Sequence, residues 1–124
     1  MTKNLEDKEI LDQINDFLED QESSDYMSLI FKLLGDPTRL KIIYVLSKTP
    51  MRVTDIANIL DMSQSLISHQ LAELREAKLI KVKRVSRNAI YSLDDAHVLS
   101  IFNQAHEHAK HERHRNDWQL YYRV

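Results

Sequence analysis

Glycine occurs once in this 124-residue chain, at Gly35, and proline twice, at Pro37 and Pro50. Tight turns and hairpin tips lean on glycine for backbone angles that other residues resist. A chain this poor in glycine is expected to be built from long helices with few sharp reversals. Its elements are therefore sought in the spacing of apolar residues.

Ile10, Ile14, Phe17 and Leu18 recur at helical spacing among acids, which gives an amphipathic helix over residues 4–22. A second helical stretch, at about residues 26–34, keeps Ile30, Leu33 and Leu34 on one side. It is expected to end at Gly35, because a helix C-terminus favours a residue free to take positive φ. Asp36 and Pro37 read as an N-cap and a first helical residue whose missing amide costs nothing. The helix they open runs over residues 39–47 and turns Leu40, Ile43 and Leu46 inward. Thr54 is expected to cap a short helix over 55–60 that buries Ile56, Ala57 and Leu60. Ser63 caps another over 64–77, with Ile67, Leu71 and Leu74 as its apolar stripe.

The period then changes from helical to alternating. Ile80, Val82 and Arg84 fall on one face of a strand over residues 79–84, and Leu79, Lys81 and Lys83 fall on the other. A second strand spans 89–93, and Val85-Ser86-Arg87-Asn88 forms the turn, with Asn88 expected in the left-handed conformation. Asp94 and Asp95 start a last helix that runs to about Arg113. The expected class is mainly α with a β-hairpin wing, a winged helix-turn-helix, and residues 1–124 read as one domain.

Cysteine is absent, which excludes disulfides, thiolate metal sites and cysteine nucleophiles. The N-terminus has no continuous apolar segment of the signal-peptide kind, and no apolar run reaches the roughly 18–20 residues of a membrane span. A cytoplasmic protein without a membrane partner is the expectation. The net charge of −2 hides an asymmetry. Residues 1–36 carry three lysines against ten acids, whereas residues 63–93 carry six basic residues against two acids. A phosphate backbone responds to that local basic field, so the global charge leaves DNA open as a partner.

Two short helices joined by Asp61-Met62-Ser63 match a helix-turn-helix, with the hairpin behind them as its wing. The second helix opens with Gln64, Ser65, Ser68 and His69, all clear of its apolar stripe. Small polar side chains at that end suit entry into the major groove. Glutamine bonds adenine bidentately, and serine and histidine reach base edges or phosphates. Arg84 and Arg87 flank the wing tip, where cations meet the DNA backbone. Double-stranded DNA is the expected partner, against the plainer reading of a helical bundle whose polar residues only face water.

The last helix is rich in histidine. At ~100° per residue, His97, His108 and His111 fall within a ~60° sector, while His106 and His114 point elsewhere. His108 and His111, three apart, can share a metal ion, but His97 lies ~16 Å from His108 along the axis. Metal–nitrogen bonds are about 2 Å. The set closes only if two such helices pack antiparallel about a twofold axis. Asp95 and His97 of one copy then meet His108 and His111 of another, giving two equivalent sites in a homodimer. Val98, Ile101, Phe102, Ala105 and Ala109 offer an apolar seam beside that face, and the first helix a second one. One carboxylate and three imidazoles suit tetrahedral Zn2+ and also Co2+. The competing reading is a solvated histidine-rich face, with Asp95 acting only as a helix-terminal charge.

Three stretches, Gly35-Asp36-Pro37-Thr38-Arg39-Leu40-Lys41-Ile42, Ser65-x-x-Ser68-His69-Gln70-Leu71 and Asp95-x-His97-x10-His108-x2-His111, together resemble the ArsR/SmtB family of metal-responsive repressors. The resemblance spans about residues 26–112, and the last spacing is similar to that of the family's C-terminal-helix zinc sensors. It implies a homodimer that binds a palindromic operator and leaves it when metal loads the site. It also implies that the second ring nitrogen of His108 meets backbone near Lys78. The chain departs from its relatives in places. Arg52 and Thr54 stand where members sensing soft metals on an earlier helix carry cysteines, and the wing lacks the usual tip glycine. With His111, His106 and His114 offer donors for octahedral Ni2+ or Co2+.

A zinc hydrolase would need an open coordination position, a general base and a pocket. The proposed set is closed and no nucleophile motif lies near it, so an enzyme is not expected. Two other readings stand beside the metal-responsive repressor. One is a winged-helix regulator indifferent to metal, and the other a histidine-rich metal buffer without a DNA role.

Overall fold

The computed structural model describes residues 7–113, and the chain divides into two compact units, residues 1–36 and 37–124. The first unit holds α1 (Lys8–Glu19) and α2 (Gln21–Leu34). The single helix expected over 4–22 is thus interrupted at Asp20, and α2 begins five residues earlier than its apolar spacing suggested. Asp20 serves both ends. Its amide donates to the Phe17 carbonyl, closing α1, and its carboxylate accepts from the Ser23 amide, opening α2. Hydrogen bonding from the Ser23 side chain, and then from its amide, holds the Asp20 carboxyl below the usual range. An acid at a helix start also complements the positive end of the helix dipole.

The second unit holds α3 (Pro37–Lys48), α4 (Val53–Leu60), α5 (Gln64–Glu76), β1 (Ile80–Val85), β2 (Asn88–Leu93) and α6 (Ala96–Glu112). The order and type of elements are those expected, a winged helix-turn-helix. Its core is Ile42, Ile43, Ile56, Ile67, Leu71, Leu74 and Ile80, all fully buried. Each such side chain contributes roughly 1.5–3 kcal/mol by leaving water. α3 packs against α4, β2 and α6, and α5 against α4 and β1. Leu40, expected inside, is 38% exposed, because Ile42, Ile43, Val45 and Leu46 form the buried face of α3. α4 begins one residue before Thr54 and has no side-chain cap; instead Arg52 pairs with Asp55 at 3.2 Å.

β1 and β2 run antiparallel, from Ile80 opposite Leu93 to Val85 opposite Asn88. A bridge from Met51 to Tyr91 ties the loop before α4 to the hairpin, with N···O distances of 2.9 and 2.8 Å. The hairpin turn is the two residues Ser86-Arg87, and Ser86, not Asn88, takes positive φ, at 60°. That is the angle a type II′ turn demands of its first central residue, a place glycine usually fills.

The glycine itself sits elsewhere. Gly35 has φ −78°, an ordinary helical value, so the expectation of a left-handed stop there is overturned. A Cβ at Gly35 would lie 3.2 Å from the Phe31 carbonyl oxygen, so closeness of backbone, not sign of φ, favours a small residue. Among the described residues the left-handed positions are Asp61, Lys78 and Ser86. At the end of α5 the Leu79 amide reaches the Leu74 carbonyl at 3.0 Å and the Lys78 amide reaches Arg75 at 2.9 Å. These two bonds make a Schellman motif with lysine at its left-handed residue.

Lys78→Gly and Ser86→Gly are each expected to stabilise the protein by about 1 kcal/mol, since glycine adopts these angles without the clash of a Cβ. Urea midpoints at constant m-value measure this; an unchanged or lowered midpoint for both would show that the left-handed angles carry no strain.

Candidate nucleic-acid interface and metal site

The helix-turn-helix is set by burial. Ile67, Leu71 and Leu74 are fully buried, which fixes the rotation of α5 and leaves Gln64, Ser65, Ser68 and His69 exposed in its first two turns. Ser63 caps the helix as expected, its hydroxyl accepting from the Leu66 amide at 3.1 Å. The first turn holds no acid, so the positive end of the helix dipole stands uncompensated beside these four side chains. Leu66, which the sequence left out of this group, is also exposed there.

His69 does not simply face solvent. Its Nε2 lies 2.8 Å from Glu73 Oε1, one turn along α5, and Glu73 Oε2 lies 2.5 Å from the guanidinium of Arg39 in α3. His69 is 72% exposed, whereas Arg39 is 15% exposed. The His69–Glu73 pair was readable as an i,i+4 spacing. Arg39 joins it only through tertiary packing.

At the wing, Arg87 occupies the turn and Arg84 the strand before it, both exposed. The Arg84 guanidinium donates to the Arg87 carbonyl at 3.4 Å, which keeps the two cations together at the tip. Lys81 and Lys83 are exposed on β1, alternating with Val82, and add two cations beside those of the tip.

Asp95 caps α6. Its Oδ1 accepts from the His97 and Val98 amides at 2.9 and 3.2 Å. The hydrogen bond from Val98, with smaller contributions from His97, holds the Asp95 carboxyl below its ordinary range. Capping uses one oxygen and leaves the other, Oδ2, 3.4 Å from Nδ1 of His97, an imidazole that is 91% exposed. One end of α6 therefore brings two candidate ligands together, and His108 and His111 stand exposed toward the other end. Among the described residues no three histidine or acidic side chains gather closely enough to hold a metal. Oxygen and imidazole nitrogen donors of this kind fit a borderline divalent cation such as zinc, cobalt or nickel.

His106 has a different environment. Its ring lies 5.7 Å from Phe102 and 6.1 Å from Tyr44, edge-on to the latter, and Tyr44 and Phe102 are 6.0 Å apart. Lys48 stands over Tyr44 at 5.1 Å. This cluster fastens α6 to α3, and Phe102, assigned from sequence to a seam between copies, has a partner within its own chain. His114 lies outside the described residues. At the matching positions of an earlier-helix metal site stand the Arg52–Asp55 ion pair and Thr54.

Known proteins share this architecture and this sequence. Residues 36–82 match the model of the bacterial regulatory protein arsR family. A transcriptional repressor SmtB homolog of Synechocystis is 39% identical over 82 residues, which span 66% of this chain and 62% of that protein. The transcriptional regulator NmtR of Mycobacterium tuberculosis is 36% identical over 92 residues, covering 74% of this chain and 77% of its own length. The solution structure of apo-NmtR superimposes with a TM-score of 0.65. A cadmium resistance regulatory protein CadC homolog of Staphylococcus aureus is 39% identical over 82 residues, 65% of this chain and 68% of that one. With an exposed start to α5, a basic wing and these relatives, the chain belongs to the bacterial ArsR family of DNA-binding transcriptional regulators.

Proposed function

We propose that the protein is a metal-responsive repressor. A homodimer holds a palindromic operator through α5 and the wing. It releases the operator when zinc, or cobalt or nickel, occupies a site made by Asp95 and His97 of one copy and His108 and His111 of a second. The observation that carries this reading is the division of the donors along α6. Two stand together at its start and two near its end, on one side of the helix but ~16 Å apart. A single chain cannot close such a set, and an antiparallel pair of α6 helices closes it twice. Relatives named for SmtB and for cadmium resistance support a metal as the signal. A DNA-bound regulator of this kind works in the cytoplasm, and among the described residues no helix is long and apolar enough to cross a membrane.

Coupling runs through His108. An imidazole bound to metal through one nitrogen donates from the other, and that N–H needs an acceptor. The family resemblance points to backbone near Lys78, where the chain turns out of α5 into β1, as that acceptor. A bond there would tie the sensing helix to the junction of reading helix and wing. Metal that favours the DNA-free dimer must weaken operator binding by the same factor, and 1–3 kcal/mol of coupling corresponds to about 5–150-fold.

The DNA reading is tested on an operator selected from a random duplex library, with binding followed by fluorescence anisotropy at several salt concentrations. Gln64→Ala is expected to cost about 1–3 kcal/mol on that operator and to relax one base position. Arg87→Ala should weaken all sequences alike and lower the salt slope by about one. Equal losses of specific and non-specific binding in Gln64→Ala would contradict base reading.

The metal reading turns on Asp95, which both caps α6 and offers a ligand. Asparagine caps as well as aspartate but is a poor zinc ligand. Asp95→Asn should therefore leave operator affinity without metal unchanged while removing release by zinc, as should His97→Ala, His108→Ala and His111→Ala. His106→Ala should retain the zinc response. Zinc-dependent release undiminished in Asp95→Asn and His108→Ala would favour a regulator indifferent to this site.

A further inference from the structure

The Arg39–Glu73–His69 chain runs from α3 to the exposed first turns of α5 and is not part of the apolar core. We propose that Glu73 is a specificity-positioning residue: clamped by Arg39, it fixes His69 in the Nε2–H tautomer and so decides which base edges the imidazole can accept. This rests on His69 meeting DNA, as proposed above.

The argument is one of donors and acceptors. Arg39 and a carboxylate form a pair of donor and acceptor only, and Arg39 cannot give up its proton. Glu73 Oε2 receives the guanidinium at 2.5 Å, which holds the carboxylate in place. Oε1 then stands 2.8 Å from His69 Nε2 and can only accept there. A neutral imidazole carries its proton on one nitrogen, and the hydrogen bond made by that nitrogen decides which. A carboxylate oxygen 2.8 Å from Nε2 favours the proton on that nitrogen, which leaves Nδ1 as an acceptor. In the major groove an acceptor meets the exocyclic amines of adenine and cytosine, whereas guanine O6 and N7, thymine O4 and adenine N7 call for donors, so cytosine is the base that only an acceptor can read. Arg39 is mostly buried and His69 mostly exposed, so the clamp has an anchored end inside and a reading end outside.

Glu73→Gln inverts the logic without removing bulk. Arg39, having only donors, takes the amide oxygen, which turns the amide nitrogen toward His69. That nitrogen can only donate, so Nε2 must accept and the proton moves to Nδ1. Base preference at the position governed by His69 should then shift from cytosine toward guanine or thymine by roughly two- to tenfold, the worth of one hydrogen bond.

Long-range 1H–15N correlation spectra of the full-length, 15N-labelled protein, recorded at a pH where imidazoles are neutral, read the tautomer without DNA. The His69 signals are assigned by their loss in His69→Ala. Wild type is expected as Nε2–H and Glu73→Gln as Nδ1–H, with the base shift measured on single-base variants of the selected operator. An Nδ1–H tautomer in wild type overturns the proposal and needs no variant to fold. An unchanged tautomer in a folded Glu73→Gln, while His69→Ala still alters base preference, overturns the proposal and leaves base reading by His69 intact. If the tautomer inverts but His69→Ala alters no base preference, base reading by His69 is what fails, and the role of Glu73 in specificity falls with it.

Discussion

An α-helix that carries ligands eleven residues apart holds them about 16 Å apart, and no side-chain rotamer bridges that gap to a metal that bonds at about 2 Å. This rigidity makes α6 informative. Asp95 and His97 meet at its start, where the carboxylate is already oriented by its bonds to the His97 and Val98 amides. His108 and His111 share the same side more than two turns on. The division makes assembly and metal binding one equilibrium in the proposed mechanism, because a second copy completes what a first begins. His106, in the same helix, sets its ring against Tyr44 and Phe102, a contact between α6 and α3.

A comparable economy governs α5. The full burial of Ile67, Leu71 and Leu74 sets its rotation, and the polar side chains of its first turns are exposed as a consequence. At the other end, the Schellman motif at Lys78 sends the chain directly into β1, so the reading helix and the wing meet at one left-handed residue. In the proposed mechanism, a change in bonding at that junction moves both elements that meet DNA at once. Helix and hairpin are further braced by the Met51–Tyr91 bridge, which ties the hairpin to the loop leading into α4.

Much of the second unit was legible in the sequence, and the reasons are local. The Ser63 cap, the Ile67/Leu71/Leu74 stripe, the switch from helical to alternating period after residue 78 and the Asp95 start of α6 each depend on a few neighbouring residues. The errors share a cause as well. Gly35 was given the left-handed stop because glycine bears it best, yet Asp61, Lys78 and Ser86 take those angles where tertiary packing and hairpin pairing demand them. Asp20 was read as one more acid along a continuous helix, whereas its capping of both α1 and α2 depends on a backbone break that spacing cannot show. Leu40 was placed inside by its hydrophobicity, but the buried face of α3 is centred on Ile42 and Ile43. Of the candidate sites, the exposure of Gln64, Ser65, Ser68 and His69 and the meeting of Asp95 with His97 were legible, since both follow from local spacing. The Arg39 clamp on Glu73 and the ring contact of His106 with Tyr44 were not, since both join residues far apart in the chain.

The central claim is that two copies of α6 each supply half of one metal site, and subunit mixing tests it most directly. One variant carries Asp95→Ala with His97→Ala, the other His108→Ala with His111→Ala, and each is titrated with cobalt alone and after exchange into tagged, purified mixed dimers. Neither variant alone should give the absorption of tetrahedral cobalt, whereas each mixed dimer should regain a single complete site and its spectrum. Mixed dimers that stay as silent as their parents, or a parent variant with the full spectrum, would contradict a site shared between copies.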